Sequence, residues 1–145
     1  MTDFIATITP IDAITMVASA VAFALSLVAT RQKRRDSLYQ DLDGLYLEIL
    51  KIGMDKPRFV NPAYTTDYRT AFQGDELHSY QTYAFIVCNV LETILDRRDD
   101  KHLFETWEPV VIAEHKLHRA WLEQPENRCR FKQKFLNYVD RHLQS

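Results

Sequence analysis

The stretch Pro10–Thr30, PIDAITMVASAVAFALSLVAT, leaves this chain few options. From Ala13 to Thr30 it carries no charge, and its only polar side chains there are Thr15, Ser19, Ser26 and Thr30. As a helix rising about 1.5 Å per residue, the run is about 31 Å long, which matches a hydrocarbon core of about 30 Å. The pattern predicts one transmembrane helix over 10–30. Its start is marked by Thr9 as a cap, Pro10 at the first helical position, and Asp12 three residues after Thr9, an arrangement like a capping box. Asp12 then belongs to the interface and not to the bilayer centre.

The flanks orient the span. Arg31, Lys33, Arg34 and Arg35 follow it, whereas Asp3 and Asp12 precede it with no Lys or Arg. The positive-inside rule places residue 31 onward in the cytoplasm and residues 1–9 outside, as a short extracytoplasmic N-terminus. Residues 31–35 then form a basic collar that snorkels at the membrane surface. A cleaved signal peptide would need its positive charges before the apolar run and a small-x-small site after it. A buried core helix is the competing arrangement, because alanine keeps the run only mildly hydrophobic.

Within the span, Thr15, Ala18, Ala22, Ser26 and Ala29 recur at spacings of three and four and so share one face. Small faces let membrane helices approach closely. The expected use is docking to another membrane helix, although an alanine-rich anchor produces such a stripe without selection for docking.

The 145-residue chain has room for one further domain, residues 36–145. This segment holds 14 Lys and Arg against 18 Asp and Glu, net −4, which argues against general nucleic-acid binding. Cys88 and Cys129 lack metal-type spacing and are expected to be buried thiols in a reducing compartment. Three glycines and five prolines leave little flexible linker.

Leu38, Leu42, Leu45, Ile49 and Ile52 make an apolar stripe at helical spacing, with no proline between it and the span. One continuous helix over 10–52 is therefore open to the chain, with Gly44 its weak point and Gly53 its stop. Residues 54–74 hold Pro57, Pro62 and Gly74 and are expected to form a loop with one helical turn near 67–72. Phe59, Tyr64, Tyr68 and Phe72 should pin it, and its length suggests a partner surface. Residues 75–97 are the best amphipathic helix, with Leu77, Tyr80, Ala84, Val87, Cys88, Leu91 and Leu95 on one stripe. Glu92 beside that stripe suggests a salt bridge. Pro109 reads as the start of a helix over 108–123 that faces Val110, Val111, Glu114, Leu117, His118 and Trp121 inward. A last helix over 126–143 should bury Phe131, Phe135, Tyr138, Val139 and His142.

Glu114, His115 and His118 are the only local cluster of ligand-type groups. Their spacing suits a shared metal, but completion would need His102, Glu92 or His78 from afar. A buried hydrogen-bonded pair of Glu114 with His118 on the apolar face is the commoner arrangement and is preferred. Arg128, Arg130, Lys132 and Lys134 line the last helix. They suit a solvated face, contact with anionic headgroups, or pairing with the acidic remainder of the domain. No phosphate loop, GxSxG elbow or HExxH sequence occurs. No catalytic residue, cofactor or metal is therefore expected.

The layout of span, basic collar, LYLEILK, YQTYAFIVCNVLETILD, EHKLHRAWL and FKQKFLNYV resembles small, functionally uncharacterised bacterial membrane proteins. These tether one helical cytoplasmic domain by one N-terminal span. The resemblance implies an α-helical domain at the inner (plasma) membrane and transfers no site residues. The expected fold is all-α, a transmembrane helix followed by a cytoplasmic bundle of about four helices. The expected function is a non-enzymatic accessory or scaffolding subunit of a membrane complex. Its partners would be membrane lipid and either a membrane protein or a second copy. The alternative is a membrane-tethered sensor or regulator that binds a small ligand or metal between its helices.

Overall fold

A computed structural model describes the backbone of residues 10–143 and the side chains of residue 19, residues 21–33 and residues 36–143. The fold is all-helical, with no strand among the described residues. Helix α1 runs Pro10–Asp55, 46 residues without a break. A 3-10 turn, Pro57–Val60, and two single-turn helices, α2 (Pro62–Thr65) and α3 (Tyr68–Ala71), lead into α4 (Gly74–Asp96). After α4 come α5 (Lys101–Leu122), α6 (Pro125–Arg128) and α7 (Gln133–His142). The chain divides into two compact units, Met1–Gln40 and Asp41–Ser145.

Gly44 does not interrupt α1, and nothing lies within 4 Å of where its Cβ would be. A helical glycine costs about 1 kcal/mol, which the buried Leu42 and Ile49 on either side outweigh. Leu45, expected on the buried stripe, is 50% exposed. Gly53 does not stop the helix. It allows a close approach, because a Cβ there would meet Val60 Cγ1 at 2.8 Å and the Tyr83 hydroxyl at 3.3 Å.

Residues 54–74 are more ordered than expected. Pro57 and Pro62 each open a helical turn at the first position, where a missing N–H costs nothing. The Asn61 side chain accepts from the Ala63 amide at 2.9 Å. Three of the four aromatics expected to pin this segment pack on α4: Phe72 stacks on Tyr80 at 4.7 Å, Tyr68 lies 5.3 Å from Tyr80, and Phe59 meets Tyr80 and Tyr83 at 5.5 and 5.7 Å, while Tyr64 packs on Phe72. Arg58 closes the segment: its Nη1 donates to both Glu76 carboxylate oxygens at 2.7 Å and its Nη2 to the Ala71 carbonyl at 2.7 Å. Its guanidinium also lies over Tyr64 and Phe72.

The core of the second unit is α4 against α5. Tyr80, Ala84, Val87, Cys88, Leu91, Ile94 and Leu95 face Leu103, Trp107, Val111, His118, Trp121 and Leu122. Helix α5 begins eight residues before Pro109, not at it. Asp100 caps it by accepting from the Leu103 amide at 3.2 Å. A mid-helix proline costs about 3 kcal/mol. Leu103, Trp107 and Val111 are all buried on one face across Pro109, and that burial carries the helix through. The expected last helix is divided. Residues between α6 and α7 turn where the Lys132 amide donates to Glu92 Oε1 at 2.7 Å. Glu92 therefore satisfies a backbone group at the start of α7, in place of the expected salt bridge. Phe131, Phe135 and Val139 are buried as expected, Tyr138 is half-buried, and His142 is exposed. Cys88 is buried, but Cys129, expected to be buried too, is exposed, with its thiol donating to the Glu126 carbonyl at 3.3 Å.

Candidate functional site

The first unit carries the docking and surface residues picked out by the sequence. Side chains from Val21 to Lys33 are all exposed, including Ala22, Ser26, Ala29, Arg31 and Lys33. Thr15, Ala18, Arg34 and Arg35 lie on α1, but their side chains fall outside the described residues, as do Thr9 and the segment 1–9. Val21, Phe23, Leu25, Leu27 and Val28 are 44–66% exposed. At 100° per residue these five positions fall in two arcs, and the sector of about 160° between them is filled by the small residues Ala22, Ser26 and Ala29, so the run is apolar on every side but for the Ser26 hydroxyl. Taking each of the five large side chains out of water is worth about 1.5–3 kcal/mol. The hydroxyls within the run are satisfied inside the helix: Ser26 donates to the Phe23 carbonyl and Thr30 to the Ser26 carbonyl, both at 2.8 Å. This back-bonding removes the need for water at those positions. Among the described residues no helix is long and apolar enough to cross a membrane. The expected span 10–30 includes residues 10–18 and 20, whose side chains lie outside that set.

The second unit contains a buried polar cluster. Tyr46 donates to Glu114 Oε1 at 2.8 Å, and Tyr80 and His118 Nδ1 share a hydrogen bond of 3.1 Å. Glu114 Oε2 faces His118 Nε2 at 3.7 Å, and neither atom has a hydrogen-bond partner. The His118 ring is fully buried, tilted 5.7 Å from Tyr80 and edge-on 5.4 Å from Tyr83. Burial disfavours every charged form here. It pushes the Glu114 carboxyl up against the opposing Tyr46 hydrogen bond, and His118 down to about 4. Burial likewise pushes up the Tyr80, Tyr83 and Cys88 protons. The uncharged imidazole is the form this pocket favours at neutral pH.

His115 does not join the cluster. It is buried on another side of α5, in a cleft with Arg119 and His142, and burial followed by Arg119 lowers its pKa. His78 and His102 are exposed, and Glu92 is engaged at Lys132. Among the described residues no three potential metal donors come together. The Glu114–His118 pair is thus a two-donor contact sealed in the core. Sequence reasoning brought the two side chains together on the buried face, but the expected hydrogen bond between them is not made at 3.7 Å, and the reasoning missed Tyr46, 68 positions away from Glu114, because nothing local links them.

The basic residues of the last segment are mostly spoken for. Arg128 pairs with Asp140 at 2.7 Å, Lys132 pairs with Asp96, and the Arg130 guanidinium lies over Phe85 at 5.3 Å. Pairing with the acidic remainder of the domain is therefore the arrangement realised at Lys132, and it holds the Asp96 carboxyl below its ordinary range. An open groove of about 380 Å³ lies beside the 3-10 turn, lined by Ile52, Phe59, Thr82 and Ile86 among others. No family model, curated protein or solved structure matches this chain.

Proposed function

We propose that the chain is a non-enzymatic, membrane-anchored helical protein that serves as an accessory or scaffolding subunit of a membrane complex. The observation that carries this reading is the exposed, circumferentially apolar run of α1 from Val21 to Val28. A helix apolar all round needs a non-aqueous neighbour on every side. Arg31 and Lys33 directly after it are placed to meet headgroups on the cytoplasmic side of a bacterial inner membrane. Lipid covers most of the run, and the small face at Ala22, Ser26 and Ala29 meets a partner helix or a second copy. The second unit supplies a surface outside the bilayer, with the 54–74 segment and its groove on display. The metal-sensor alternative retains only two donors in the buried cluster.

Carbonate-washed membranes test the anchor: the chain stays in the pellet, and its release into the supernatant would overturn the reading. Replacing Ala22 and Ser26 by Leu tests the docking face. These changes leave the chain in the membrane but weaken self-association or partner co-purification in mild detergent. Unchanged association would remove the docking face.

A further inference from the structure

We propose that the cleft between the end of α4 and the outer face of α7 binds a phosphate group. The cleft encloses about 310 Å³ and is lined by Arg98, Lys134, Asn137, Tyr138, Arg141 and His142. Lys134, Asn137, Tyr138 and Arg141 recur at three, one and three residues along α7, so one helical face carries them all. Phe135, Leu136 and Val139 hold the opposite side of α7 in the core.

Two features set these cations apart. The first is the lack of carboxylate partners. Arg128 and Lys132, on the same segment, are neutralised by Asp140 and Asp96. Arg98, Lys134 and Arg141 make no ion pair within 4 Å among the described residues and no carboxylate lines the cleft, although Lys134 adds to Lys132 in holding the Asp96 carboxyl down. The second is that the aromatic ring between them positions the donors. The Arg98 guanidinium lies over Tyr138 at 6.0 Å, and the His142 ring is tilted 35° to it at 4.7 Å. Tyr138 is itself directed by its hydroxyl toward Glu108 at 3.5 Å. Three like charges held near one concavity repel unless something neutralises them.

The charge and donor set select the ligand class. Two guanidinium forks, an ammonium and an amide match the several oxygens of a tetrahedral dianion. A singly charged carboxylate would leave most of the positive charge unanswered. The cations of Arg98 and Arg141 also complement the carbonyl ends of α4 and α7, but Lys134 stands in the first turn of α7, where a helix has no use for a cation. The volume equals about ten waters, which leaves room for a phosphate with a small organic substituent. A soluble phosphate ester and a phospholipid headgroup offer the same chemistry. The assignment stands on the second unit alone and does not depend on the anchor.

The test is a two-dimensional ¹⁵N–¹H NMR titration of the full chain in a maltoside detergent, at constant ionic strength set with chloride. The probes are inorganic phosphate, water-soluble short-chain phosphatidylglycerol, and short-chain phosphatidylcholine as the zwitterionic reference. The expected result is a saturable shift at Lys134, Asn137, Tyr138 and Arg141 with phosphate, phosphatidylglycerol or both. Response to phosphate alone assigns a soluble ester, and response to phosphatidylglycerol alone assigns a headgroup. The R98Q/K134Q/R141Q variant weakens binding at least tenfold. K51Q/K56Q/K116Q, with the same change of net charge at exposed sites elsewhere, keeps it. Circular dichroism checks that both variants remain helical. Shifts that never saturate, or equal losses in both triple variants, would overturn the site.

Discussion

Replacing His118 by Phe should remove part of the protein's dependence of stability on pH. His118 is fully buried between Tyr80, Tyr83 and Glu114, and its folded-state pKa falls from 6.5 to about 4 because the interior disfavours the imidazolium. In the unfolded chain the ring binds a proton below about 6.5. Between 4 and 6.5 the unfolded state therefore holds more protons, and stability rises with pH across that window. At about 1.36 kcal/mol per pH unit the full gain is about 3 kcal/mol. Glu114 acts the other way. Its carboxyl is raised above 4.5 by burial, so its contribution is full below 4.5 and is lost as pH rises through the folded value. Asp96 and Glu126, whose carboxyls sit below their ordinary range, contribute stability that is lost on the acid side of the window.

Trp107 and Trp121 are 5% and 0% exposed, so their fluorescence reports unfolding of the second unit. Urea titrations at intervals from pH 4 to 7 give the wild-type slope. H118F keeps the opposing Glu114 contribution together with that of His115, whose pKa burial also lowers, so its stability should rise less steeply with pH than the wild type's between 4.5 and 6.5. E114Q removes that opposition and should steepen the rise. For a unit of this size, 1 kcal/mol moves Tm by about 4–8 °C, well within reach. An H118F profile parallel to wild type between 4.5 and 6.5 would refute the burial argument.

Three further outcomes follow from the packing. Gly53→Ala should destabilise by about 1–2 kcal/mol in urea, although alanine favours helix by about 1 kcal/mol, because Val60 Cγ1 stands 2.8 Å from the new Cβ; a more stable variant would contradict the close approach. Arg58→Lys should cost about 1–2 kcal/mol and speed amide exchange over 57–72, since a single ammonium nitrogen cannot replace Nη1 at Glu76 and Nη2 at the Ala71 carbonyl together; unchanged exchange would show that the aromatics alone hold the segment. A maleimide should label Cys129 in the native protein and reach Cys88 only on unfolding, because burial seals Cys88 and pushes its thiol up; mass spectrometry after a native pulse reads the difference.

The helical class and most of the core were legible because they rest on local periodicity. The stripe on α4 and the pair Glu114 and His118 follow from spacings of three and four, which any helix imposes. The continuity of α1 was visible as the absence of proline up to Pro57. What failed was punctuation. Pro109 looked like a start, yet Leu103, Trp107 and Val111 continue the buried stripe through it, and that spacing was available in the sequence. The break before α7 was not available. It depends on Glu92, 40 positions before Lys132, and on Phe131 packing between Phe85, Trp121 and Phe135. His142 keeps the face of Phe135 and Val139 but is the last residue of α7, where the core no longer covers it. The order of the 54–74 segment was signalled by Pro57, Asn61 and Pro62, each at a helix-opening position, but its fixation by Arg58 required the fold.

The surroundings of the apolar run on α1 decide the account as a whole. Spin labels at positions 23, 25 and 33 of the chain reconstituted in lipid vesicles, with Cys129 replaced by Ser, report collisions with oxygen and with a water-soluble nickel chelate. The account predicts high oxygen access and nickel exclusion at 23 and 25, with the opposite at 33. Nickel access at 23 and 25, or exclusion of both reagents there, would contradict it.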